Sequence, residues 1–261
     1  MLDAAAIQSI ADTVQHAQDS ATTMAKITDD YPDMDIEDSY AVQDELLRRW
    51  EAKGRQLAGL KAGLTSKAKM EQMGVNEPSF GMLMQDSCYP EGAQVPMAGL
   101  IHPRVEAEIA FVLKDELAGP DVSIADVIAA TDFIQPALEI IDSRFEKFKF
   151  DLVSVVADNG SSARFVLGGR PLRPDAVDLS TIGIIMEKNG VPVAMTSSAA
   201  VLGHPARAVQ MLVAWLHGRG RTLPAGSIVL SGAATEAVAV ASGDVMAARF
   251  QNLGSVSVGF A

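Results

Sequence analysis

Glu106 and Glu108 stand two apart in Val105–Leu113, a run with the alternation of a β-strand. Residues two apart on a strand share a face, so the two carboxylates lie side by side. Val105, Ala107, Ile109 and Phe111 take the opposite face, which is expected to be core. Two adjacent carboxylates repel unless a cation lies between them, and a hard divalent ion prefers oxygen ligands. On spacing alone, an exposed edge strand with two solvated glutamates satisfies the pattern as well. Glu139 strengthens the metal reading. It interrupts Phe133–Ile141, an otherwise nearly apolar strand-like run, and a glutamate there is either buried with a partner or at a strand end. Three carboxylates from two strands suit Mg²⁺ or Mn²⁺ and leave coordination positions for water or an oxygen-rich substrate. His102 is close by, but His-Pro before a strand reads as a structural turn.

Lys61 is the second candidate. It ends a strand predicted over Gln56–Lys61, among apolar and glycine neighbours that could desolvate its ammonium and ready it for proton transfer. A surface lysine at a strand end is the plainer reading. In Val155–Ser162, polar residues follow an apolar run at the turn into the next strand. Asn159 and Ser161 there could bind a substrate oxygen or simply close the turn.

The elements that must position these groups fall into two parts. Residues 1–54 read as helical: one helix over Asp3–Ala25, a loop at Asp29–Pro32, then a helix capped by Asp35 and ended by Gly54. Residues 55–261 read as β-rich, with a hairpin at Lys188-Asn189-Gly190, a helix opened by Pro205 and running through His217, and closing strands around Gly232, Gly243 and Gly254. The fold class is α+β, a helical N-terminal part feeding a mixed, mostly antiparallel β-rich domain, the two expected to form one continuous structural unit. The 261 residues carry 33 acidic and 21 basic side chains, a net charge of −12 that argues against nucleic acid. Residues 1–51 alone hold twelve acids against Lys26, Arg48 and Arg49, which reads as a solvated helical face. With no long apolar span, no basic leader and a single cysteine, Cys88, a cytoplasmic chain without membrane attachment is expected. Phosphate-loop, dinucleotide, nucleophile-elbow and His-Glu-x-x-His motifs are absent from the sequence.

These residues carry a resemblance. The segments GLKAGLTSKAKMEQMGV (59–75), HPRVEAEIAFVL (102–113), ATDFIQPALEIIDSR (130–144), VVADNGSS (155–162), VLGHPARAV (201–209) and LGSVSVGF (253–260) resemble the hydratase/decarboxylase branch of the fumarylacetoacetate hydrolase superfamily. The resemblance covers nearly the whole chain. It implies the fumarylacetoacetase C-terminal-domain-like fold, Mg²⁺ or Mn²⁺ on Glu106, Glu108 and Glu139, and a catalytic Lys61. It also implies metal-dependent decarboxylation of 2-oxo-3-hexenedioate to 2-hydroxypenta-2,4-dienoate and CO₂, in meta-cleavage catabolism of aromatic compounds. The alternatives are hydration of 2-hydroxypenta-2,4-dienoate and a non-catalytic partner of that hydratase. The implied partners are a 2-oxo dicarboxylate, the hydratase and further copies of the chain. Thr65, Ser79, Arg144, Asn159 and Ser161 are the expected substrate contacts, with a salt bridge to Asp142 or Glu146 as the other reading of Arg144.

KITDDYPDM (26–34) and the 141–159 segment are similar to the decarboxylase subgroup. The hydratases carry an acid before the Phe-Gly that follows the Gly-Val motif, and here that position is Ser79. An acid there suits protonation of a dienol and repels a departing carboxylate. Ser79→Asp is therefore expected to raise KM for the dicarboxylate about tenfold, the equivalent of ~1.4 kcal/mol, and to slow decarboxylation. Steady-state kinetics of both reactions check this; unchanged decarboxylation would place Ser79 away from the leaving group.

Overall fold

The structure is a computed structural model that describes residues 1–66, 70–71 and 74–261. Five residues of the 59–75 segment therefore lie outside the described residues.

Helix α1 (Ala4–Ser20) begins where the Asp3 side chain accepts from the Ala6 N–H at 2.8 Å. It buries Ile10, Ala11, Val14 and Ala17, a single helical stripe. It stops short of the expected Ala25 because Ala21 turns left-handed (φ 50°), which frees Met24 to bridge Phe145. The stretch read as a loop holds a one-turn helix, α2 (Ile27–Asp30). Its start is fixed by burial of Ile27 and by the Ser154 hydroxyl, which accepts from the Ile27 N–H. Helix α3 (Ile36–Ala52) carries the anticipated Asp35 cap, reinforced by Asp38 as a reciprocal capping box.

The strands follow: β1 (Leu57–Gly63), β2 (Ser79–Met84), β3 (Cys88–Tyr89), β4 (Gln94–Val95) and β5 (Arg104–Leu113). After helix α4 (Ile124–Ala130) come β6 (Thr131–Ile141), helix α5 (Leu152–Ala157), β7 (Ser162–Leu167), β8 (Gly183–Lys188) and β9 (Val191–Ser197). Helix α6 (Ala206–Gly218) precedes β10 (Ile228–Leu230), β11 (Val238–Ala239), β12 (Val245–Phe250) and β13 (Gly254–Phe260). Among the described residues they form one sheet ordered β2-β1-β10-β5-β6-β7-β3, with β11 on β5, and a second ordered β4-β13-β12-β8-β9. The β8–β9 turn is Asn189-Gly190 alone, both left-handed (φ 54° and 77°), while Lys188 already pairs with Val191. One apolar core runs from Ile10 in α1 to Phe260 in β13.

Both faces of β5 are buried. Val105, Ala107, Ile109 and Phe111 enter the main core, as the alternation implies. On the other face, Ala110 joins Leu83, Ala137, Phe165 and Leu230 in a second, smaller core. The first sheet thus curls until residues of β2 and β7, near its two ends, share one cluster.

Asn159 secures that curl. Its Oδ1 accepts from the Met82 N–H at 2.7 Å and its Nδ2 donates to the Met82 carbonyl at 3.0 Å. The amide so satisfies the free edge of β2 as a neighbouring strand would. Asn159, Gly160 and Ser161 are all left-handed (φ 53°, 59° and 58°), and the tight approach requires Gly81, where a Cβ would lie 2.9 Å from the Asn159 carbonyl oxygen. Asn159 is therefore a structural clamp, its amide oxygen and nitrogen each engaged by Met82. Asn159→Ala is expected to cost about 2–4 kcal/mol of stability by leaving the Met82 N–H and carbonyl unpaired. Denaturant unfolding measures it; an unchanged midpoint with a raised KM would restore the substrate role.

Candidate metal centre

The antiparallel register of β5 and β6 sets Glu106 directly opposite Glu139, while Glu108 follows Glu106 on the same face. One carboxylate oxygen from each of the three lies within 4.8 Å of the others. All three residues are buried, at 6, 1 and 0 % exposure, so the solvated edge strand is ruled out. Burial, and then the fields of Glu139 and Glu106, push the Glu108 carboxyl well above its usual range. Burial also raises Glu139, although Lys61 pulls the other way.

Lys61 reaches this cluster from β1. Its Nζ donates to Glu139 Oε2 and to the Gly160 carbonyl, each at 3.0 Å. The side chain is buried. Burial alone would lower its pKa, but the fields of Glu139, Glu106 and Glu108 outweigh that and hold it above the ordinary value. The plainer reading, a surface lysine, is thereby excluded. A Cβ at Gly160 would press on Lys61 Cε at 3.0 Å, so the left-handed turn after Asn159 also seats the lysine.

Glu108 Oε2 accepts from the Gly232 N–H at 2.7 Å. Gly232 is left-handed (φ 94°), and a Cβ there would lie 2.2 Å from Thr65 Oγ1, which puts buried Thr65 in the wall behind Glu108. Ser161 and Ser231 present buried hydroxyls without a partner. Ser231 was missed in the sequence; its signal is a Ser-Gly pair directly after the apolar strand Ile228–Leu230. Ser79 lies opposite Gly63 on β2, on the Lys61 face of the sheet, and borders a cavity of 670 Å³ with Tyr40, Phe80 and Trp215.

Arg144 is buried and hydrogen-bonded within the chain. Its guanidinium donates to Asp158 Oδ1 (2.5 Å), to the Asp158 carbonyl (2.6 Å), and to the carbonyls of Asp142 (2.5 Å) and Ser162 (3.3 Å). Its carboxylate partner is Asp158, not Asp142 or Glu146. The Asp142 carboxylate instead accepts from the Ile101 and His102 N–H groups at 2.8 Å each, which makes the His-Pro segment the structural turn anticipated.

Three carboxyls share one buried space, and the Lys61 ammonium is hydrogen-bonded to one of them, Glu139. Among the described residues, Glu108 Oε1 and Glu139 Oε1 are buried there without a hydrogen-bond partner. Such groups are costly to bury uncompensated, so this all-oxygen set fits a hard divalent cation held by Glu106, Glu108 and Glu139.

A family model described as fumarylacetoacetate (FAA) hydrolase C-terminal matches residues 55–260. The chain is 50 % identical over 254 residues to a 4-oxalocrotonate decarboxylase of Pseudomonas putida, covering 97 % of this chain and 96 % of that one. It is 39 % identical over 262 residues to a 2-hydroxyhexa-2,4-dienoate hydratase of Comamonas testosteroni, covering 100 % and 99 %. The solved structure of a 4-oxalocrotonate decarboxylase from Pseudomonas putida G7, complexed with magnesium and adipate, superposes with a TM-score of 0.98 at 48 % identity, covering 100 % of this chain and 99 % of that one.

Glu108→Gln removes one like charge and one ligand together. The metal-free variant is expected to melt at or above the parent. Saturating Mg²⁺ should stabilise the parent by ~2.7 kcal/mol at a hundredfold excess over Kd, and the variant by much less. Thermal melts with EDTA and with Mg²⁺ check both; equal stabilisation of the two proteins would remove Glu108 from the ligand set.

Proposed function

The chain belongs to the fumarylacetoacetate hydrolase family, and from that premise we propose that it decarboxylates 4-oxalocrotonate (2-oxo-3-hexenedioate) to 2-hydroxypenta-2,4-dienoate and CO₂. The observation that carries the reading is the buried cluster itself: Glu106, Glu108 and Glu139 converging within 4.8 Å with the Lys61 ammonium against them. Identity of 50 % to a decarboxylase along nearly the whole chain supports the choice of reaction over hydration. The reading places the enzyme among the carboxy-lyases of meta-cleavage catabolism.

The C6 carboxylate of this substrate is vinylogous to that of a β-keto acid. As the C5–C6 bond breaks, its electron pair becomes the C4=C5 π bond. The C3=C4 pair moves to C2=C3, and the C2 oxygen takes the charge. Mg²⁺ or Mn²⁺ on the three glutamates, when bound, supplies Lewis acidity toward the C1 carboxylate and the C2 oxygen.

Lys61 remains an ammonium because the carboxylates around it outweigh its burial. Placed beside Glu139, it stabilises negative charge developing at the C2 oxygen and can give that oxygen the proton that completes the dienol. Glu139 and the Gly160 carbonyl hold the ammonium by two hydrogen bonds, so it is oriented before substrate arrives. Thr65, Ser161 and Ser79 form the substrate wall in this reading, with the unpartnered Ser161 hydroxyl the strongest donor candidate. The dienol product tautomerises in water, which favours direct transfer to a hydratase in a complex of the two proteins.

The test is product analysis with 4-oxalocrotonate and Mg²⁺. CO₂ and 2-hydroxypenta-2,4-dienoate are expected, and EDTA should abolish both. Lys61→Ala is expected to lower kcat by about 10²–10⁴ with little change in KM. Conversion of the dienol to 4-hydroxy-2-oxopentanoate in place of CO₂ release would assign the hydratase reaction instead.

A further inference from the structure

Arg104 opens β5 and shares a strand face with Glu106 and Glu108, since residues two apart point the same way. Its guanidinium carbon lies 4.4 Å from the centroid of the Phe148 ring, and the His102 ring packs near Phe148 at 4.7 Å between centroids. The side chain is half-buried, and among the described residues no carboxylate pairs with it. A half-buried guanidinium with an aromatic seat and no counter-anion is poised to receive one.

The segment carrying Phe148 is built for that placement. It leaves the end of β6, where Ile141 pairs with Arg104, two residues beyond Glu139. Met24 anchors its start: the Met24 N–H donates to the Arg144 carbonyl at 2.8 Å, and the Glu146 N–H donates to the Met24 carbonyl at 3.2 Å. Lys147 and Phe148 are consecutive left-handed residues (φ 54° and 59°). Neither is a glycine, so the turn that presents the ring to Arg104 is a costly conformation held by its surroundings. Lys147 and Lys149 are exposed on either side of Phe148.

We propose that Arg104, seated on Phe148, and not Ser79, binds the C6 carboxylate of the dicarboxylate substrate and selects it over monocarboxylates. The assignment rests on the decarboxylase reading above. The dimensions agree: Arg104 stands roughly 6–7 Å along the strand from Glu106, and a six-carbon chain of ~1.5 Å bonds spans a similar distance. The ion pair is complete in the bound substrate and is kept in large part until the carboxylate charge has moved to the C2 oxygen, so it lends the bond cleavage itself no assistance. It therefore contributes to KM and to substrate choice, and not to kcat.

The experiment is a competition binding series on the Mg²⁺-loaded protein with hexanedioate and hexanoate, run alongside CO₂ release from 4-oxalocrotonate. The parent is expected to bind hexanedioate at least about tenfold more tightly than hexanoate, and Arg104→Gln to bring the two within about threefold. Mg²⁺ affinity should be retained and kcat not lowered while KM rises. Phe148→Leu keeps the charge but removes its seat, and should lose part of the preference. If Arg104→Gln does not fold, Phe148→Leu and Arg104→Lys decide, each with a reduced preference expected. A preserved preference in the folded variants overturns the proposal, as does parallel loss of both ligands together with Mg²⁺ affinity. A parent that prefers hexanedioate through Arg104 but releases no CO₂ overturns the reaction and leaves the subsite standing.

Discussion

Three glutamate carboxylates share one enclosed space, and the structure around them is organised by that electrostatic demand. Like charges removed from water cannot all stay ionised without compensation, and the raised Glu108 and Glu139 carboxyls register the strain. The Lys61 ammonium answers one charge and the Gly232 N–H supports another oxygen. A divalent cation held by the three glutamates would relieve their mutual repulsion. The apolar neighbours Ala110, Ala137, Leu230 and Phe165 keep water from dispersing the field, which makes the same residues both a core and an insulating wall.

The register of a few strands sets that convergence. Pairing of β5 with β6 places Glu106 across from Glu139, and a slip of one residue would turn the glutamates of one strand into the main core. The short β10 aligns β1 beside β5, with Leu230 opposite both Lys61 and Ala110. From the far side, the Asn159 clamp on Met82 draws the 158–162 turn onto Lys61, so one amide closes the sheet and one carbonyl next to it holds the lysine. Rigidity of the fold and orientation of the ammonium therefore share a cause.

Much of this was legible in the amino-acid order because it is periodic. Alternation along Val105–Leu113 identified the glutamate face, and a lone acid in an apolar run marked Glu139. Asp35, Gly54 and Asn189-Gly190 declared their caps and turn by residue type. Interactions without a period were not legible. The partner of Arg144 is Asp158, fourteen residues along a non-repeating path, and the amide of Asn159 meets a main chain 77 residues away. Helix α2 depends on a distant hydroxyl, Ser154, and has too few residues to show a pattern. That both faces of β5 are buried follows from the curl of the sheet, which no single strand encodes.

The position of β10 between β1 and β5 has a consequence for the order in which the chain is synthesised. Lys61, Glu106 and Glu139 leave the ribosome before Ile228–Leu230, the strand that aligns β1 with β5. Until that strand emerges, the glutamates have no enclosing wall and remain hydrated, and the lysine has no fixed direction toward them. The enclosing wall of the site is thus complete only once β10 has joined the sheet. A nascent chain so arranged carries its acidic cluster as a solubilising feature until the closing strand converts it into an interior one.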